Sequence, residues 1–228
     1  MRSLLIVFLL CSCFNVWAQT GKKFVVKPGE KILDVIPRNE IYKYEKFMDG
    51  FVLLKDGSFG VAKLNYNSLF GEMQFIDPKG DTLSLSDEKN ISLISIKKDT
   101  FYYEDGCIEL LANYGKVKLA AKRIFTFSNR TKSGGLNQSG SGEIETYTTY
   151  SSRQSFKDIT ITETLTFSER IIYYFGDRYN HFMAASKKNL YKRYGEHKTR
   201  LSKYLDENKI NFKDKEDMKM LCSFLQEL

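Results

Sequence analysis

The scarce reactive residues of this chain are two His and four Cys, and their spacing restricts the available chemistry. Hydrolysis through a covalent intermediate needs a nucleophile beside a positioned base, usually His. His181 and His197 lie among Asn, Lys and Arg, with no strand-turn-helix nucleophile motif near either. They read as surface or boundary residues. A zinc site takes three or four ligands from His, Cys and carboxylates, a set these positions do not assemble, so no metal and no cofactor is expected. Neither a glycine-rich dinucleotide fingerprint nor a phosphate loop ending in Gly-Lys-Ser/Thr occurs. Asn113-Tyr114-Gly115-Lys116 holds the Gly-Lys pair alone and reads as a hairpin turn. Asp214, Glu216 and Asp217 lack the alternating oxygens and central Gly of a helix-loop-helix calcium site and read as a helix cap. Two carboxylates working on a sugar remain open, because 28 acidic residues always leave candidates and a sequence carries no separations. No catalytic residue is therefore assigned.

The N-terminus sets the compartment. Arg2, the apolar run Leu4 to Leu10 and Val16-Trp17-Ala18 have the order of an export signal over residues 1–18, with Gln19 opening the mature chain. The apolar run is too short to span a bilayer, and no later stretch has the length, so no transmembrane helix is predicted. Leu10-Cys11-Ser12-Cys13 offers a competing lipoprotein reading in which Cys13 is acylated. Export makes cytoplasmic roles and nucleic acid as a partner unexpected. It also permits a disulfide between Cys107 and Cys222, with two buried free thiols as the plainer alternative.

The formal charge is +7, and it is concentrated in the last quarter of the chain. Lys187, Lys188, Lys192 and Arg193 cluster within one expected helix, a possible contact surface for acidic partners or lipid headgroups. The simpler reading is the solvated face of a docked helix. Tyr and Phe are in excess, with Tyr42 and Tyr44 alternating in one run and Tyr191, Tyr194 and Tyr204 in the tail. Half-buried sheet and boundary positions account for them, and a platform for sugars, peptides or lipids is the alternative.

These residues must be positioned by an antiparallel meander. From Glu40 onward, short apolar runs alternate with turn signals: Ile41 to Met48 before Asp49-Gly50, Phe51 to Leu54 before Asp56-Gly57, Phe59 to Tyr66, and Glu72 to Ile76 before Pro78 and Gly80. Further strands are expected at Thr82 to Leu85, Ile91 to Ile96, Phe101 to Tyr103, Cys107 to Ala112 and Lys116 to Phe127. The polar, Gly- and Ser-rich stretch 128–142 predicts a mobile loop. Strands at Ile144 to Tyr150, Ile159 to Phe167 and Ile171 to Phe175 close the β domain, taken as 19–176. Beyond Gly176 the period turns helical, predicting helices over Lys187 to Tyr194, Glu196 to Asn208 and Lys215 to Leu228 in an appendage of residues 177–228 packed on the sheet. The expected fold is mainly β with C-terminal α, its sheet curled into a roll, sandwich or open barrel.

The Tyr-rich strand Ile172-Tyr173-Tyr174-Phe175 and the tail from Ala185-Ser186-Lys187-Lys188 through Tyr204-Leu205-Asp206-Glu207-Asn208 to Ile210-Asn211-Phe212 resemble uncharacterised exported proteins of Bacteroidota. More loosely, so do Leu64-Asn65-Tyr66-Asn67 and Glu72-Met73-Gln74-Phe75. That resemblance implies an envelope location, periplasmic or extracellular, and a β domain with a helical tail; it implies no activity. The sequence thus points to a non-enzymatic binding or interaction component of the envelope, its partner an envelope protein, glycan or lipid. A hydrolase acting on envelope or imported glycans or lipids is the alternative.

Overall fold

The computed structural model describes residues 21–129, 145–146 and 164–228. Cys13 and the export signal lie outside the described residues, as does the predicted loop beyond Asn129. Strands β1 (Lys23–Val26), β2 (Met48–Leu54), β3 (Phe59–Asn67), β4 (Glu72–Ile76), β5 (Thr82–Ser84), β6 (Ile91–Ile96), β7 (Asp99–Tyr103), β8 (Cys107–Asn113), β9 (Val117–Asn129), β10 (Glu145–Thr146), β11 (Leu165–Asp177) and β12 (Phe182–Ala184) form one antiparallel sheet. The order is β1-β11-β9-β8-β7-β6-β2-β3-β4-β5, with β10 on β9 and β12 on β11. Ser128 and Asn129, expected to open the loop, instead continue β9 opposite Thr166 and Leu165.

Two meanders meet where β2 pairs with both β3 and β6, and the sheet curls there without closing. The curl is held at the end of β8. That strand begins at Cys107, and past this end the β3–β4 turn takes its place beside β9, with the Phe125 N–H donating to the Ser68 carbonyl at 3.1 Å. Leu64, Tyr66, Met73, Ile94, Ile96, Phe101 and Cys107 fill the roll so formed. Period-two alternation then divides the long strands β9 and β11. Val117, Leu119, Ala121, Tyr173 and Phe175 point toward the C-terminal helices, whereas Ala120 and Tyr174 point to the opposite face with Tyr102, Ile108 and Phe182.

The helices are α3 (Lys187–Arg193), α4 (Lys198–Glu207) and α5 (Lys215–Leu225), preceded near the N-terminus by one-turn helices α1 (Ile32–Val35) and α2 (Arg38–Ile41). Ser186 caps α3, its Oγ accepting from the Asn189 N–H, and Asp214 caps α5, accepting from the Glu216 and Asp217 N–H groups. Leu190, Leu201, Leu205, Met218, Leu221, Cys222 and Leu225 bury one stripe against the sheet. Each fully buried Leu stabilises the docking by about 1.5–3 kcal/mol. The other end of the same sheet face is covered by Val26, Ile32, Ile36 and Ile41, packed on Phe125 and Phe167.

Candidate functional site

Between those two covered ends lies the mouth of the roll, and the chain entering β2 is bent into it. The β2–β3 ladder pairs Met48 with Leu64, and a continuous register would set Glu45 opposite Asn67. Tyr42 occupies that place instead. Three residues of Lys43–Phe47 therefore have no partner across the ladder, which makes a wide bulge. Asn65 holds it. This side chain is 0% exposed, accepts from the Tyr44 N–H at 3.1 Å, and donates to the carbonyls of Tyr44 at 2.8 Å and Lys46 at 3.3 Å. A buried amide thus replaces the backbone partners that the bulge removes.

The bulge aims Lys43 and Tyr44 across the mouth at β7 and β8. Lys43 Nζ donates to Glu109 Oε1 at 2.7 Å and lies 3.4 Å from Asp99 Oδ2. The Tyr44 hydroxyl donates to the same Asp99 oxygen at 2.6 Å. Period two puts Asp99 and Phe101 on one face of β7, and the register sets Glu109 opposite Phe101. Lys43 Nζ is also 5.9 Å from the centre of the Phe101 ring and 5.5 Å from that of Tyr44. Burial, the bond to Asp99 and the charges of Asp99 and Glu109 push the Tyr44 hydroxyl far above the ordinary phenol range, so it acts as a donor. All four side chains are half-buried, with Phe101 and Tyr66 stacked beneath them at 6.1 Å.

A second charged chain continues along the rim. Arg123, diagonal to Glu109 across the β8–β9 ladder, binds Glu169 through Nε and Glu40 at 3.1 Å, and Lys22 donates to Glu40 at 2.7 Å. The hydrogen bond from Lys22, followed by the charges of Lys22 and Arg123, holds the Glu40 carboxyl below its usual range. The Tyr66 hydroxyl crosses the roll to donate to the Arg123 carbonyl at 2.8 Å. The mouth therefore offers carboxylate acceptors, an ammonium and a phenol donor, with the half-buried Tyr44 ring among them and Phe101 and Tyr66 buried beneath.

Of the positions singled out from the sequence, Tyr44 lies in this cluster and the others fall elsewhere. Cys107 lies inside the roll and Cys222 on the buried stripe of α5, in separate core clusters, and both are free thiols, so the Cys107–Cys222 bridge is not formed. Burial pushes each thiol up to about 12. Lys187, Lys188 and Lys192 are exposed on α3, with Lys187 3.4 Å from Asp206. Arg193 leaves that patch, since its guanidinium donates to the Phe175 and His181 carbonyls and ties α3 to the sheet. His181 meets Asp177 at 3.0 Å in the exposed β11–β12 turn, and His197 precedes α4. Among the described residues, no three His, Cys, Asp or Glu side chains group as metal ligands, and no helix is long and apolar enough to cross a membrane.

Sequence reasoning missed Lys43, Asn65, Asp99 and Glu109. The available signal was Leu64-Asn65-Tyr66-Asn67, where amides alternate with apolar residues in what is the buried half of β3. Comparison with protein families, curated proteins and solved structures gives no match for this chain.

Proposed function

We propose that this protein is an exported, envelope-associated binding module, non-enzymatic, that takes a glycan at the mouth of its roll. The observation that carries this reading is the bulge on Asn65, which sets Lys43 and Tyr44 against Asp99 and Glu109. Polyhydroxylated ligands both donate and accept, and paired carboxylates beside an ammonium answer both needs, while the half-buried Tyr44 ring gives an apolar edge for a sugar ring. The export signal in residues 1–18 supports a periplasmic or extracellular location, with Cys13 as the anchor if the chain is a lipoprotein.

A hydrolase acting on glycans is the second reading, because Asp99 and Glu109 share one ammonium and so stand close together. Calorimetric titration with cell-envelope glycan fragments, with product analysis of the same samples, separates the two. Saturable binding without cleavage, lost in Lys43→Met and Asp99→Asn, supports a binding module. Cleavage abolished by Asp99→Asn supports the hydrolase, and binding indifferent to both variants removes the site from either role.

A further inference from the structure

The face of β9 turned away from the helices carries the two buried cations among the described residues, Lys118 and Lys122, 9% and 8% exposed. Each lies against a tyrosine: Lys118 Nζ is 5.6 Å from the centre of the Tyr102 ring, and Lys122 Nζ is 5.9 Å from that of Tyr174. Removing an ammonium from water carries a desolvation penalty that a ring face offsets only in part. A counter-charge is needed as well. Lys122 has one, donating to the Asp105 carbonyl with the Asp105 carboxylate at 3.7 Å. Lys43 and Arg123, less buried, each have two carboxylates. Lys118 donates to the side-chain oxygen of Asn180, a neutral group, and no described carboxylate forms an ion pair with it.

The local fold explains how Asn180 comes to that position. Asp177 Oδ1 accepts from the Tyr179 and His181 N–H groups, closing a turn in which Asn180 takes the left-handed conformation at φ 67°. Asn tolerates that conformation better than most residues. Gly176, one residue before the turn, lets the Phe182 ring lie over the strand where a Cβ would sit 2.4 Å from it, and Phe182 then packs on Tyr102 at 5.0 Å. The result is a buried ammonium beside the Tyr102 ring and held by Asn180, an exposed residue whose amide NH2 is a second donor.

We infer that the Lys118–Asn180 corner is a binding site for an oxyanion, the phosphate or carboxylate group of a ligand that supplies the counter-charge no described carboxylate gives. The oxygen atoms accept from the ammonium and from the amide NH2, as charge-assisted hydrogen bonds require. The site is on the opposite face of the sheet from Lys43, so its occupancy is independent of the roll mouth.

The test is the melting temperature of the purified protein titrated with inorganic phosphate or acetate at constant ionic strength, and separately the binding of vesicles containing an anionic phospholipid. A saturable rise in wild type that weakens about tenfold or more in Lys118→Met, the ratio set by one charge-assisted bond, supports the site. Lys118→Met keeps the apolar stem and removes a costly buried charge, so this variant is expected to fold. Asn180→Gly, which accepts the same φ, weakens the response less, and Lys122→Met leaves it unchanged. A response to vesicles alone, with the same dependence on Lys118, assigns the oxyanion to a lipid headgroup. No response in wild type to any of the three probes, or equal responses in wild type and Lys118→Met, overturns the inference.

Discussion

Asn65 and Tyr44 are joined by two hydrogen bonds of opposite sense: the Tyr44 N–H donates to Asn65 Oδ1, and Asn65 Nδ2 donates back to the Tyr44 carbonyl. One buried side chain thereby fixes the backbone of the bulge, and the bulge fixes the direction of Lys43 and Tyr44. Structure and proposed binding depend here on the same amide.

Asn65→Ala is accordingly expected to lower stability by about 1–3 kcal/mol, the cost of leaving buried backbone groups without partners. Glycan affinity should fall further than stability alone explains, because Lys43 loses its direction. Urea denaturation together with calorimetry measures both quantities. A variant as stable as wild type would show that water replaces the amide.

Lys43→Met leaves Asp99 and Glu109 facing each other with no ammonium between them. Like charges left without their shared cation repel, so the variant should be less stable than wild type, and added salt should narrow the difference. Since both carboxylates are partly exposed, the loss is about 1 kcal/mol at most. Urea midpoints at low and high salt test the sign.

Glu40 carries the opposite dependence. Its folded pKa is depressed, so its contribution is complete above the unfolded carboxylate value and disappears as pH falls through the lower folded one. Acid should therefore loosen the N-terminal cover of Val26, Ile32 and Ile36, and Glu40→Gln should remove that part of the acid dependence. Amide exchange of the Ile36 and Ile41 N–H groups at acidic and neutral pH reads the effect.

Cys107 and Cys222, buried with pKa values pushed up to about 12, should resist alkylation in the native protein at neutral pH and react fully on unfolding. Peptide mapping after alkylation with and without denaturant distinguishes free thiols from a bridge. A Cys107–Cys222 peptide recovered without reductant would contradict the separate placement of the two residues.

The parts of the fold legible in the sequence are those governed by local chemistry. Ser186 and Asp214 cap helices where they were expected to, and the Asp56-Gly57 and Pro78-Gly80 turns hold Gly57 at φ 87° and Gly80 at φ 91°. Asp49-Gly50 has the same dipeptide grammar and is no turn. There β2 runs straight through, and Gly50 is needed because a Cβ would meet the Ser95 carbonyl oxygen at 2.5 Å. Ile41 to Met48, with its alternating Tyr42 and Tyr44, has strand periodicity but folds as the end of α2 followed by the bulge, since the deciding partner, Asn65, is remote in sequence. Likewise Glu169 and Arg170 look like a break between two strands, whereas Glu169 pairs with Arg123 and β11 continues through. The site was illegible for this reason: each of its members gains meaning only from a residue on another strand.

The most direct test of the roll-mouth site is competitive acylation of lysines, quantified by mass spectrometry, with and without the bound glycan fragment. Lys43 is predicted to be protected by ligand in wild type, while Lys188 and Lys192 label at unchanged rates. Unchanged labelling of Lys43 at saturating ligand would contradict the assignment of the roll mouth as the binding site.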